Sequence, residues 1–309
     1  MSKELIFGHQ NPDTDAINAA KAYAYLQTKL GYDVEAVALG EPNDETKFVL
    51  DYFDEPAPRV ITAAKPEVDS VMLVDHNEAQ QSVSDIKDLT ITHVVDHHKV
   101  GNFETEKPLF MLEEPLGCTS TIIYKLFLSE NVEIPAKVAG LMLSAIISDT
   151  LLLQSPTTTD TDRKAVEALA KIADVDYKDY GIKMLKAGTN VDASSADELV
   201  DQDAKSFTMG GKNVRIDQIN VVDLQDILKR TDEIKAAMQK ASDANGFDLY
   251  LVLVTNVLDS NSALIVTGEP KTAVEKAFNG SLNDEGVMNL PDVVSRKKQV
   301  VPPLTEAFE

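Results

Sequence analysis

The sequence predicts an α/β protein of two domains: a parallel sheet wound on both faces by helices, then a smaller mixed α/β domain, with an active site in the cleft between them. Three observations lead there. Through the first half, short runs of β-branched and apolar residues alternate with helical segments, the order that builds a parallel sheet. The chain has 309 residues, a length that suits two domains. A small, polar stretch at residues 187–195 separates that half from a second series of strands and helices. The expected domains are residues 1–188 and 196–309, with 189–195 as linker and hinge.

Taken in order, residues 5–7 make a short apolar strand and 15–30 an amphipathic helix, and 34–39 and 44–53 repeat the pair. Residues 71–74 and 93–95 read as buried, β-branched strands. Helices follow at 119–129, 136–147, 162–171 and 177–186. Beyond the linker, a helix at 196–204 precedes strands at 206–209 and 214–221, which flank the hairpin turn Gly210-Gly211. A long helix at 224–244, strands at 249–255 and 263–267, and a short helix at 272–278 complete the series.

Composition narrows the function. The chain carries 29 Lys and Arg against 51 Asp and Glu, a net charge of -22. That balance keeps a protein soluble and argues against a long nucleic acid as partner, because a phosphate backbone is bound by arrays of cations. The single cysteine, Cys118, permits no internal disulfide and fits a reducing cytoplasm. The N-terminus runs straight into a strand, with no signal-peptide pattern, and the most apolar helix is too short to span a bilayer.

Acids and histidines recur just after first-domain strands. Gly8-His9-Gln10-Asn11-Pro12-Asp13-Thr14-Asp15 follows the first strand, Asp75 another, and Asp96-His97-His98 a third, while Asp149 ends a helical segment. Each has a plain alternative. Asp13 suits a helix N-cap and Asp15 the positive end of the same helix, and for these two capping and metal binding both stand. Asp75 suits a loop start, and His97 and His98 a surface. Together they are harder to explain so, because parallel strands bring their carboxyl ends to one edge. Two carboxylates about 4 Å apart repel by roughly 4 kcal/mol at an effective dielectric of about 20. Divalent cations relieve that repulsion most directly. Mixed imidazole and carboxylate ligands favour Mn²⁺, Co²⁺, Fe²⁺ or Zn²⁺. Six ligands suit two ions sharing a carboxylate, an arrangement that activates water for phosphoryl displacement. Residues 117–121 open a helix whose N–H groups suit an anion, although an ordinary N-cap accounts for them equally well.

These motifs resemble the DHH phosphoesterase superfamily. With Asp75, Ser148-Asp149-Thr150, Lys205 and Ser295-Arg296-Lys297-Lys298-Gln299, nearly the whole chain resembles family II inorganic pyrophosphatases. The resemblance implies hydrolysis of pyrophosphate to two phosphates by a metal-bridged hydroxide at a binuclear manganese site, with cobalt as a second option and Mg²⁺ accompanying the substrate. By motif match, His9, Asp13 and Asp75 hold one metal. Asp15, Asp75, His97 and Asp149 hold the other. Asp96 orients a ligand histidine, and His98, Lys205, Arg296 and Lys297 face the substrate. The resemblance also implies a homodimer formed through the first domain, and because the cations lie across the linker from the metal ligands, closure about the hinge is expected to assemble the site of a cytoplasmic enzyme. Exopolyphosphatase and small phosphodiesterase activity are the alternatives within the superfamily. A metal-dependent regulator without turnover is the alternative outside enzymes.

Overall fold

The computed structural model describes residues 2–189 and 191–308. The chain divides into two compact units, Met1–Gly188 and Thr189–Glu309. Of the expected linker, Asn190 lies outside the described residues.

The first unit is built on strands β1 (Glu4–Phe7), β2 (Val34–Ala36), β3 (Ser70–Val74), β4 (Thr90–Asp96) and β5 (Phe110–Glu113), in spatial order β2-β1-β3-β4-β5 and all parallel. The middle strands are continuous apolar runs because helices cover both faces. Their registers bring the carboxyl ends level: Phe7 lies beside Leu73, and Val74 beside Val95. The helices are α1 (Thr14–Lys29), α2 (Asp44–Tyr52), α3 (Thr119–Ser129), α4 (Ala136–Asp149), α5 (Asp160–Ala173) and α6 (Tyr177–Thr189). Residues 139–147 of α4 are all buried, as expected of a helix apolar on every side. Asn18 of α1 donates to the carbonyl of Leu141 at 3.2 Å, which ties α1 to α4.

The second unit begins with α7 (Ala196–Leu199) and carries β6 (Lys205–Met209), β7 (Lys212–Val221), β8 (Leu249–Asn256), β9 (Asn261–Gly268) and β10 (Val287–Leu290) in the order β10-β9-β8-β7-β6. Only β7 and β8 pair in parallel. Along β8 the side chains alternate between two cores. Tyr250, Val252 and Val254 meet Ile234 and Met238 of α9 (Thr231–Asn245), which follows the short α8 (Gln225–Leu228). Leu249, Leu251 and Leu253 meet Val274 of α10 (Lys271–Phe278) and Leu304 of α11 (Val301–Ala307). Gly210 and Gly211 both have positive φ, 53° and 75°, the backbone that a tight two-residue hairpin requires.

Several expectations change. The helix expected at 224–244 is two helices, broken at Arg230 (φ -109°, ψ 15°). The Arg230 guanidinium donates to the carbonyls of Val191 and Ser194 instead of standing along a helix. The helix expected at 196–204 stops at Leu199, where the capping box of Ser195 and Glu198 stabilises a single turn. Strands β5 and β10 and helix α11 went unread.

Candidate metal centre

The rim at the carboxyl ends of β1, β3 and β4 is where the acids and histidines gather. Gly8 leaves β1 without a side chain because a Cβ there would stand 2.6 Å from the backbone of Ala16 in α1. Asp13 then caps α1: its Oδ1 accepts from the Ala16 N–H at 3.0 Å. Its Oδ2 lies 3.5 Å from His9 Nε2. Capping and approach to the histidine therefore use different oxygens of one carboxylate. Asp75, just past β3, has φ of 58°, a strained left-handed backbone of the kind found at functional sites.

Asp75 is central. It is 1% exposed; its Oδ2 lies 3.5 Å from His9 Nε2 and its Oδ1 lies 3.5 Å from His97 Nε2. Asp149, at the end of α4, places Oδ2 3.8 Å from His97 Nε2. Ligand atoms of His9, Asp13 and Asp75 lie within 4.8 Å of one another, and so do those of Asp15, His97 and Asp149. A further group combines Asp75, His97 and His98. His9 Nδ1 donates to the Gln10 carbonyl at 2.8 Å and His97 Nδ1 to the Leu116 carbonyl at 3.0 Å. Each bond fixes a ring with Nε2 towards the acids.

Asp15 is fully buried and accepts from the Thr119 and Ser120 N–H groups at 2.8 and 3.2 Å and from Ser120 Oγ at 2.6 Å. The anion at the N-terminus of α3 is thus a side chain of the protein, Asp15. Thr119 Oγ1 donates to Asp75 Oδ1 at 3.1 Å. Asp96 Oδ1 accepts from His98 Nδ1 at 2.9 Å and from the His97 and His98 N–H groups. Asp96 therefore orients the ring of His98, whereas the ring of His97 is held by the Leu116 carbonyl. Asn77 donates to Asp96 Oδ2 at 2.7 Å and accepts from the Gly101 N–H at 3.0 Å, which fixes Asp96 in turn. The His98 side chain is 53% exposed, with Nε2 left to meet a ligand.

The protonation preferences follow from the crowding. Burial opposes charge on His9, but the hydrogen bond to Asp13 and the charge of Asp75 prevail, and its pKa is raised to about 9. Burial also opposes charge on His97, and the Asp75 bond and the Asp15 charge again prevail, to about 9. Burial, then the charge of Asp15, pushes Asp75 up. Burial, then Asp15 and Asp75, pushes Asp149 well up. Against its burial, Asp13 is held low by His9 and the Ala16 N–H. Two carboxylates 4.8 Å apart repel by roughly 3.5 kcal/mol at an effective dielectric of about 20. The oxygens of Asp13 and Asp75, and those of Asp15 and Asp149, fall within that separation. Buried acids forced towards their neutral forms beside imidazoles are a donor set that fits divalent transition ions.

The basic residues lie in the second unit. Lys205 opens β6 and is exposed, as are Lys297 and Lys298. Arg296 is 8% exposed, and its Nη2 is 3.0 Å from Asp203 Oδ1. Gln218 accepts from the Arg296 N–H at 3.1 Å, and Gln299 accepts from the N–H groups of Val294 and Ser295, so the basic turn is clamped from both sides. Asn77 and Gln218 were missed in the sequence: Asn77 had a signal, standing two residues beyond Asp75, and Gln218 had none of its own, whereas Thr119 and Ser120 belong to the segment 117–121 already read as suiting an anion or an N-cap.

Sheet and rim together define a chain of the DHH class. The model of the DHH family N-terminal domain matches residues 3–146, and that of the DHHA2 domain matches residues 182–307. A Lactiplantibacillus plantarum protein named a probable manganese-dependent inorganic pyrophosphatase is 65% identical, over 100% of this chain and 99% of its own length. An Enterococcus faecalis protein of the same name is 57% identical over the full length of both. The crystal structure of a Methanococcus jannaschii protein assigned to family II inorganic pyrophosphatases superposes with a TM-score of 0.62 at 36% identity, covering 99% of each chain. The chain belongs to the family II, manganese-dependent inorganic pyrophosphatases.

Proposed function

We propose that this chain hydrolyses inorganic pyrophosphate to two phosphates at a binuclear manganese centre. The observation that carries the reading is Asp75, whose two oxygens face two different ligand groups. His9, Asp13 and Asp75 hold one ion, and Asp15, Asp75, His97 and Asp149 the other. When bound, such ions supply Lewis acidity to water and to phosphate oxygens. Cobalt suits the same donors, and Mg²⁺ travels with the substrate.

The remaining roles follow from charge and placement. The hydrogen bond to Asp96 raises the pKa of His98, which favours the charged ring as donor to a phosphate oxygen. Lys205, Arg296 and Lys297 neutralise the substrate, Arg296 through its planar fork. Asp203, exposed beside Arg296, is the anion a phosphate displaces. Residues 189–195 serve as the hinge. No helix of the described residues is long and apolar enough to cross a membrane, and the single cysteine suits a reducing cytoplasm. Among the described residues strand β5 has β4 on one side and no strand on the other, an edge available to a second copy in a homodimer formed through the first unit.

Purified protein with Mn²⁺ and Mg²⁺ is offered pyrophosphate, long-chain polyphosphate and a dinucleotide. Rapid phosphate release from pyrophosphate alone is expected. Release mainly from polyphosphate or the dinucleotide refutes the substrate, and release from none refutes the enzyme.

A further inference from the structure

One carboxylate outside the ligand groups touches two of the segments that carry them. Glu45 stands in the first turn of α2. Its Oε1 accepts from Thr14 Oγ1 at 2.6 Å and from Ser148 Oγ at 2.5 Å. Thr14 lies between Asp13 and Asp15, and Ser148 directly precedes Asp149. A single oxygen thus links the segment after β1 to the end of α4, Glu45 standing 31 positions from Thr14 and 103 from Ser148.

The link is anchored at every side. Thr14 is fully buried, and its Oγ1 also lies 3.1 Å from Thr46 Oγ1. The first turn of α2 is held by Asn43, whose Oδ1 accepts from the Thr46 N–H at 2.8 Å. A Cβ added to Gly188 would lie 3.0 Å from Glu45 Oε2, so the last turn of α6 closes over the carboxylate and limits its swing. The acid also sits at a helix N-terminus, where a negative charge is favoured. Glu45 belongs to neither ligand group, yet it adds an acid to a rim already crowded with them. Holding two ligand-bearing segments in register is the role its contacts describe.

We propose that Glu45 is a positioning residue for the metal centre: by bridging Thr14 and Ser148 it sets the spacing between Asp15 and Asp149, and so the geometry of the group they form with His97. The inference rests on the metal-centre reading above. The test is titration of the full chain with Mn²⁺, following free Mn²⁺ by electron paramagnetic resonance. Glu45→Ala is expected to weaken Mn²⁺ binding on the order of tenfold or more, the range for partners that orient ligands. Glu45→Gln keeps an oxygen that accepts both hydroxyls and is expected to stay within about threefold of the native protein, since the geometry is retained. The double variant Thr14→Val, Ser148→Ala is expected to reproduce the loss, and adding Glu45→Ala to it should cost little more, because coupled changes are not additive.

Native affinity in Glu45→Ala, or equal losses in Glu45→Ala and Glu45→Gln, overturns the proposal. Should Glu45→Ala fail to fold, the hydroxyl double variant decides, and native affinity there overturns it. A native protein that binds no Mn²⁺ overturns the metal-centre reading itself, and the two failures are thereby told apart.

Discussion

Replacing Asp149 with Asn separates the metal-free protein from the loaded one. Without metal, burial and the charges of Asp15 and Asp75 push the Asp149 carboxyl well above its usual range, towards the neutral acid. Asn has nearly the same shape and no charge, so the metal-free protein should change by no more than about 1 kcal/mol, the worth of one ordinary hydrogen bond. With metal, the substitution removes a charged ligand. Residues that merely orient ligands cost roughly 10–100-fold in affinity when lost, so a direct ligand should cost about 100-fold. At saturating Mn²⁺ that loss removes about 2.7 kcal/mol of stabilisation. For a unit of this size, the Mn²⁺-induced rise in melting temperature should then shrink by roughly 5–11 °C. Calorimetry of both proteins with and without Mn²⁺ reads the effect. A Glu or Asp truly ionised and paired in the metal-free fold would behave otherwise. If Asp149→Asn lowers the metal-free melting temperature as much as the loaded one, or leaves the Mn²⁺ shift intact, the reasoning fails.

Other consequences can be measured in the same way. His9 and His97 both have pKa values raised to about 9 and must lose their protons to bind metal. Mn²⁺ binding near pH 7.5 should therefore release protons, and affinity should climb with pH and level off above about 9. Calorimetry in buffers of different ionisation enthalpy counts them, and an absence of release refutes the assignment. Ser120→Ala removes the 2.6 Å bond to Asp15. It should weaken Mn²⁺ binding by roughly 10–150-fold, the equivalent of about 1.5–3 kcal/mol for a charge-assisted bond, and an unchanged titration curve would remove Ser120 from the account. In the second unit, burial raises the pKa of Asp217 to about 6, and Oδ2 has no partner. A raised carboxyl contributes stability that is present below its unfolded value and lost as pH rises through about 6. Asp217→Asn should therefore gain on the native protein between pH 4 and pH 7, and parallel melting curves across that range would contradict the burial argument.

Much of the frame was readable because the first sheet is parallel and buried on both faces. Its central strands are unbroken apolar runs, and a ligand-bearing residue directly after such a run must sit at the sheet's carboxyl edge. That reasoning reached His9, Asp75, His97 and His98 from strand ends alone. Strand β5 escaped it although residues 109–112 are apolar, because it is a short, half-exposed edge strand with Phe110 42% accessible and no β-branched residue. The break at Arg230 escaped for a different reason. Local propensity favours helix across it, and the bonds that end the helix reach back to residues 191 and 194. The residues that steady the rim were hidden in the same manner. Ser120 meets Asp15 across 105 positions and Ser148 meets Glu45 across 103, distances over which no sequence period operates. At residues 117–121 the sequence left an anion and an N-cap both open, and only the folded chain shows that the anion is Asp15.

Anomalous diffraction from crystals grown with manganese tests the central claim most directly. Two manganese peaks roughly 3.5–4 Å apart, one on either side of the Asp75 carboxylate, are predicted, with His9 and Asp13 beside the first and Asp15, His97 and Asp149 beside the second. A rim without manganese, or peaks that avoid Asp75, would contradict it.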